Sequence, residues 1–594
     1  MYFRAIEELE THLGTAFGTV PPTVSVELCP ADFSGDVTVN CFRLARSLRN
    51  APPKIAAEVQ RFLSDHPDVE SAETIKAFVN VTLKPPALFR DCVADEAALF
   101  RRIPLPESER KRVLIEFSAP NTNKPQHLGH VRNNTLGQAI TEILRAVGHQ
   151  PIPINLVNDR GIHICKSMLA YQRWGNGITP ETAERKGDHL VGDFYVRYDT
   201  EYRRQLAELR EANPKLRDAS DDELFLKTEL GRAAQDMLLR WEDGDPDVRA
   251  LWKTMNAWVL EGFRQTYERM GVQFEHTYLE SQTYGLGKDV VRKGLADGIF
   301  HERDDGAVCV NLEEEKLDTK VLLRSDGTSV YITQDLGTTL LKQRDYQPAS
   351  QMWIVGDEQI RHFQVLFAIL RRLGYEWADN LVHMAYGMVN LPSGKMKSRE
   401  GTVVDADDLF DEMVRLARAA TLERAGGETP DDIDRRAEII GMGALKFMLL
   451  KVNAKTTLMF DPEASIRFEG DTGPYVLYAA ARISSMLRKA EEEKPDDGAV
   501  DWSALQTVEE RDLALRCAAY PDSLRKAAAD LDTSALAAHL LELAKAFSRF
   551  YRECPVLNAP TPALRHARLE LSRRVRRLLE HGLETLTIGH LESM

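Results

Sequence analysis

The sequence predicts an α/β protein, with a doubly wound parallel sheet preceded by a small α+β module and followed by an all-helical region. Three observations predict it. The apolar run Val113-Leu114-Ile115 reads as a buried parallel strand, leading through a polar loop into a helix. That helix carries Leu136, Ile140, Ile143, Leu144 and Val147 on one stripe, with Gly148 placed to stop it. Strands and helices then alternate to about residue 400, and from there the apolar spacing is mainly helical.

Residues 1–105 are expected to form the α+β module. Val37-Thr38-Val39 and Phe78 to Leu83 have strand character, and Ala45 to Phe62 reads as a helix interrupted at Pro52-Pro53. Pro104 to Glu109 is a linker, and residues 111–400 carry the sheet. Ile152 to Val157 is the expected second strand, with Asn158-Asp159-Arg160-Gly161 as the loop after it. A charged insertion, roughly 179–325, begins as a solvated helical layer; from Val248 to Met270 its apolar stripe reads as core. Val308 to Leu312 and Lys320 to Leu323 are expected to pair around an acidic turn. Val330-Tyr331-Ile332 reads as a strand end, with Thr333 as N-cap and Asp335 in the first turn of the next helix. Met352 to Gly356 is another buried strand, leading through Asp357-Glu358-Gln359 to a helix. Residues 401–470 form a helical connection and 471–594 a helical bundle, where Leu541, Leu543, Ala544, Phe547 and Phe550 supply the apolar spacing.

At 594 residues the chain exceeds one core. Apolar content of 43% and charged content of 28% are those of an ordinary soluble protein. Seven cysteines without Cys-x-x-Cys suit a reducing compartment, and neither a signal peptide nor a membrane-spanning run is present, so a cytoplasmic location is expected. A net charge of −15 argues against indiscriminate nucleic-acid binding and against DNA as a partner. RNA contact would need a local basic patch. Arg565, Arg568, Arg573, Arg574, Arg576 and Arg577 form one, against the single acid Glu570.

The chemistry centres on Glu116 to His130. In that loop His127 and His130 stand one turn apart, Gly129 between them admits a ligand to the backbone, and Lys124 adds a cation. With the free amides of a helix start, they make a cradle for a nucleotide triphosphate. Two other readings fit the same spacing. The histidines can cap the helix, or bind zinc with His149, His163 or Cys165; no cysteine pair supports the latter, so neither structural zinc nor another protein-bound metal is expected. Far downstream, Gly394-Lys395-Met396-Lys397-Ser398-Arg399-Glu400-Gly401 is a glycine-bracketed basic loop.

An His-x-Gly-His loop after the first strand, paired with a Lys-Met-x-Ser-type loop, resembles the class I aminoacyl-tRNA synthetases. Asn155 to Gly161, Asp326 to Asp335 and the segment Gly473 to Ile483 are similar to the arginyl-tRNA synthetase family. The resemblance implies a Rossmann-like catalytic domain, an N-terminal domain that touches the corner of the tRNA and a helical anticodon-binding domain. It implies an arginine–tRNA ligase (EC 6.1.1.19) that uses ATP, with Mg2+ as the ATP complex, to join L-arginine to tRNA(Arg), and a monomer is expected. His127, Gly129, His130, Lys124, Lys395, Met396, Lys397 and Ser398 would then serve ATP, and Glu116, Asn121, Tyr331, Asp335 and Gln359 would bind arginine. The family's Gly-Phe-Ile-Asn stands here as Ala77-Phe78-Val79-Asn80, and Ser398 takes the place of the class's second loop lysine, a loss for which Lys124 would compensate. A catalytically inactive, synthetase-like RNA-binding protein and a small-molecule adenylyltransferase are the competing readings.

Overall fold

Five strands, Arg112–Glu116, Gln150–Val157, His276–Leu279, Ser350–Gly356 and Leu381–Tyr386, make one all-parallel sheet in a computed structural model that describes residues 1–30, 32–392, 404–424, 431–493 and 498–592. Apolar runs such as Val113-Leu114-Ile115 are buried because helices cover both faces of the sheet. Arg112–Glu116 lies in the middle, with Gln150–Val157 on one side and Ser350–Gly356 on the other. The chain fills one half of the sheet before it returns to fill the other. Loops leaving Glu116 and Gly356 therefore diverge, and a crevice opens between them at the carboxyl edge.

The helix Leu128–Ala146 follows the central strand. Its apolar stripe begins late because its first turns bury polar groups instead: Arg132, Asn133, Asn134 and Thr135 are all inaccessible. Gly137 lets it close on the strand, since a Cβ there would meet the Phe117 ring at 2.2 Å. Gly148, at φ +90°, ends it as expected.

Helices Ile162–Trp174, Gly187–Ala212, Glu229–Glu242 and Pro246–Met270 separate the strands Gln150–Val157 and His276–Leu279 and bury a core of their own. A three-stranded antiparallel sheet, in which Val308–Val310 pairs with Lys320–Leu323, precedes the helix Tyr331–Tyr346. Two expectations are corrected there. Val330 and not Thr333 is the N-cap residue: Thr333 lies inside the helix, and its hydroxyl donates to the Leu322 carbonyl. Tyr331 opens the helix rather than ending a strand, which moves Asp335 into the second turn.

In the N-terminal region an antiparallel sheet of Val26–Leu28, Val37–Asn40, Phe78–Leu83 and Val69–Ile75 packs with two helices. Pro52-Pro53 does not interrupt a helix there. It starts one, Pro52–Ser64, because proline fits the first turn, where no amide is needed. Beyond the sheet domain, Ala406–Arg424, Ile433–Leu450, Gly473–Glu493, Val508–Asp530, Thr533–Glu553 and Pro562–Thr585 are helices, and they share one apolar core with the central sheet. No helix among the described residues is long and apolar enough to cross a membrane.

Candidate functional site

Between the central strand and its helix the backbone takes two successive positive-φ residues, Ser118 (78°) and Ala119 (47°). Side chains pin this costly turn. The Ser118 amide donates to Asn133 Oδ1 at 2.5 Å and the Ala119 amide to Asn155 Oδ1 at 3.1 Å, while Tyr267 Oη lies 2.7 Å from Ser118 Oγ. The loop then delivers His127 to the N-cap position of the helix.

Both motif histidines cap that helix, so one of the alternatives left open by the sequence is realised. The Gly129 amide donates to His127 Nδ1 at 3.1 Å and the His127 amide to His130 Nδ1 at 3.2 Å, a reciprocal capping box. The consequence is chemical. A ring whose Nδ1 accepts from an amide carries its proton on Nε2, so each histidine retains one N–H donor for a ligand. Burial, then the nearby Lys124 charge, pushes His127 down to about 4. Burial, then His127 and Lys124, holds His130 well below the usual histidine range. Both are neutral donors at physiological pH. Gly129 also serves this arrangement: a Cβ there would lie 2.8 Å from His127 Cε1.

The expected partners Lys395, Met396, Lys397 and Ser398 lie outside the described residues, but both flanks of their loop are described. After it, the Leu128 amide donates to the Val404 carbonyl at 2.9 Å and the Ala406 amide to the Gln126 carbonyl at 3.0 Å, so His127 and Asp405 face each other as a β-bridge. Before it, Val389–Asn390 pairs with Leu458–Met459. Arg132, fully buried, donates to the carbonyls of Met388 (2.8 Å), Ala454 (3.0 Å) and Thr456 (2.8 Å). The helix of the histidine motif thus anchors the downstream segment on both sides.

Across the crevice, Asp335 has Oδ2 at 2.6 Å from His362 Nε2, and Tyr331, one turn earlier, is 81% exposed. Gln359 and Asn121 are exposed on their loops, the latter bridged to Asn158. Glu116 is buried and receives a hydrogen bond from Lys342, which is 1% exposed. Sequence reasoning missed Lys342, although Asp335, Thr338, Thr339 and Lys342 fall on one helix face and form a polar stripe in a buried helix. It also missed Glu280, at the carboxyl end of His276–Leu279. Burial raises its pKa, against the pull of Arg160 (4.0 Å) and with Asp159 and Asp335 adding to the rise. Carboxylates repelling one another at a strand edge suit a cationic ligand.

The arginine run does not form an open basic face. Arg568 is buried against Glu510 (2.7 Å) and the Pro555 carbonyl (2.7 Å), and Arg574 donates to Glu96 (2.7 Å) and the Val93 carbonyl. Arg577 also reaches Glu96, Arg573 pairs with Glu570 and Glu491, Arg576 lies 3.4 Å from Glu580, and Arg565 donates to the Ala490 carbonyl at 3.4 Å. An open cavity of about 690 Å³ lies elsewhere, between the tail and the connecting region, and is lined by Arg424, Phe468, Tyr475, Tyr478, Arg482 and Tyr551. There the Arg482 guanidinium sits 4.5 Å over Tyr478 and that of Arg424 4.3 Å over Phe468. Aromatic faces and stacked guanidinia receive unpaired nucleic-acid bases.

The parallel sheet, the double-histidine cap and the paired loop flanks define a class I tRNA synthetase. The sequence matches the family described as "tRNA synthetases class I (R), catalytic domain" over residues 98–462, the arginyl-tRNA synthetase N-terminal domain over 4–83 and the DALR anticodon-binding domain over 476–594. It is 42% identical to arginine–tRNA ligase of Treponema denticola, over 97% of this chain and 95% of that protein, and 43% identical to that of Bacteroides thetaiotaomicron, over 97% of each. It superposes on the arginyl-tRNA synthetase of Thermus thermophilus with a TM-score of 0.80 at 28% identity, covering 100% of both chains. The chain belongs to the arginyl-tRNA synthetase family.

Proposed function

We propose that this chain is an arginine–tRNA ligase: it activates L-arginine with ATP to arginyl-adenylate and transfers the arginyl group to the terminal adenosine of tRNA(Arg). The observation that carries the reading is the pairing of Gln126–Leu128 with Val404–Ala406, together with the charge interaction of Glu280, which follows the edge strand, and Asp335, on the helix Tyr331–Tyr346. It joins the histidine motif to the flank of the basic loop, beside carboxylates suited to a guanidinium.

Arginine's carboxylate is already ionised at neutral pH and attacks the α-phosphorus directly, so the first step needs no general base. The enzyme's work is positioning and charge stabilisation. His127 and His130 donate from Nε2 to phosphate oxygens as neutral groups, while Lys124 and Lys395 supply the positive charge. Magnesium enters with ATP, as part of the substrate. Among the described residues the one group able to hold a metal is Asp188, His189 and Asp407, where Lys186 Nζ already stands 2.6 Å from Asp407. Asp335, with Glu280, holds the guanidinium fork, Tyr331 closes over it, and Asn121 and Gln359 orient the α-carbon end. Glu116, tied to Lys342, shapes the floor and meets the α-amino group. Bases of the anticodon enter the aromatic and arginine cavity between the tail and the connecting region. The chain works as a monomer.

The test is arginine-dependent exchange of pyrophosphate into ATP with cognate tRNA present, followed by charging assays with a panel of amino acids. Exchange with arginine alone among the amino acids is expected. No exchange would favour an inactive RNA-binding relative.

A further inference from the structure

An ion-pair cluster lies outside every residue assigned above. Lys186, at the N-cap position of Gly187–Ala212, has Nζ 2.6 Å from Asp407 Oδ2 and 3.3 Å from Asp188 Oδ2, and it donates to Thr266 Oγ1. His189 Nε2 lies 2.9 Å from the same Asp407 oxygen and 3.7 Å from Asp405 Oδ1. Asp188 is fully buried, and the fold makes room for it: a Cβ at Gly262 would lie 2.3 Å from its Oδ1. Three elements meet here, the start of the helical insertion, the helix Pro246–Met270 and the segment Val404–Asp408.

That segment is the one paired with the histidine motif. Asp405 Oδ1 accepts the amides of Asp407 (2.8 Å) and Asp408 (3.2 Å) and so starts the helix Ala406–Arg424, while Val404 and Ala406 bond to Leu128 and Gln126. Burial would raise Asp407, but hydrogen bonds from His189 and Lys186 outweigh it and bring the carboxyl down to about 2. A desolvated carboxylate held by an ammonium and an imidazole N–H has few alternative positions, because losing either partner leaves it poorly compensated.

We propose that Lys186 and His189 are positioning residues for the ATP-dependent step: through Asp407 and Asp405 they hold Val404–Ala406 alongside Gln126–Leu128 and thereby fix the two motif imidazoles. The start of the insertion is in this way braced against the phosphate end of the site. The proposal rests on the functional reading above.

The experiment uses the full chain with cognate tRNA. Pyrophosphate exchange is saturated separately with ATP and with arginine for wild type, His189→Ala, His189→Gln and Asp407→Asn, and amide hydrogen exchange is followed at residues 126–128 and 404–408. His189→Ala is expected to raise the KM for ATP about tenfold while the KM for arginine stays within about twofold, and to speed exchange at the Leu128 and Ala406 amides. His189→Gln, whose amide reaches Asp407 from the Nε2 position, is expected to recover most of the loss. Asp407→Asn keeps the shape of the side chain and decides the question if His189→Ala fails to fold. The proposal is overturned if folded His189→Ala or Asp407→Asn leaves the ATP KM and the amide exchange unchanged, or raises both KM values equally. Wild type without pyrophosphate exchange would overturn the functional reading instead, and the amide exchange of the variants would still decide whether the cluster fixes the motif.

Discussion

The imidazoles of His127 and His130 serve the helix with one nitrogen and leave the other to a ligand, so the two duties can be separated by substitution. Asparagine reproduces an acceptor near the Nδ1 position but supplies nothing at Nε2. His130→Asn is therefore expected to keep wild-type thermal stability and tRNA binding while pyrophosphate exchange falls by about 10²-fold or more. His130→Ala should lose the cap as well, at a cost of about 1 kcal/mol. Equal stability loss in both variants would remove the capping role. The same geometry fixes a pH dependence. The folded state depresses His127 from its ordinary 6.5 to about 4, so its contribution to stability is full above pH 6.5 and is lost as the pH falls toward 4. His189 has the opposite sign. Burial opposes its protonation, but Asp407, Asp405 and Asp188 outweigh burial and raise its pKa, so its contribution is full below pH 6.5 and is lost as the pH rises through the raised value. Thermal scans at stepped pH should show His127→Asn less sensitive than wild type between pH 4 and 6.5, and His189→Gln less sensitive than wild type above pH 6.5.

At the scale of elements, one helix organises the site, and its anchor is Arg132. Three carbonyls from Met388, Ala454 and Thr456 converge on its guanidinium. Hydrogen bonds to a charged group are worth about 1.5–3 kcal/mol each, so Arg132→Met is expected to lower the melting temperature by several degrees. Arg132→Lys should recover only part of this, because an ammonium is a compact point charge without the planar fork. Full recovery would mean that charge alone suffices. Nothing in the sequence marks Arg132 as different from a surface arginine, because its partners are backbone carbonyls more than 250 residues downstream. The strand Val113-Leu114-Ile115, its loop and the stop at Gly148 were legible, because local periodicity and glycine placement decide them. The capping by His127 was legible only as an alternative, since three-residue spacing fits a cap, a phosphate site or a metal equally. Thr333 misled because a threonine before a helical stripe looks like an N-cap, and only tertiary packing against the Leu322 carbonyl draws it inside the helix. Lys342 stayed hidden for the reason Arg132 did: a buried cation is defined by its partner, here Glu116 on a strand far away in sequence.

At the scale of the whole molecule, arginines of the helical tail, Arg574 of the basic run among them, act as struts between the two ends of the chain. Arg511 donates to both carboxylate oxygens of Asp36 and to the Leu83 carbonyl, which ties the helix Val508–Asp530 to the N-terminal sheet. Arg525 donates to the carbonyls of Ile103 (3.1 Å) and Pro104 (3.0 Å), and Arg574 reaches Glu96 on the same connecting segment. Asp36 is 6% exposed, so it depends on Arg511 for compensation. Local sequence could not foretell this, since the acid precedes the arginine by 475 positions. On the proposed function, with the N-terminal domain at the corner of the tRNA and the helical tail at its anticodon, the strut would set the distance between two contacts on one rigid ligand. Loss of that spacing weakens the second contact by lowering its effective concentration. Arg511→Met is accordingly expected to raise the KM for tRNA in aminoacylation about tenfold, leaving the KM values for ATP and arginine within about twofold of wild type. Steady-state charging assays varying each substrate in turn would measure the split. Should ATP and tRNA suffer alike, the Arg511–Asp36 pair would be bracing the catalytic sheet, and the two ends of the chain would have to be held in register by the apolar core they share.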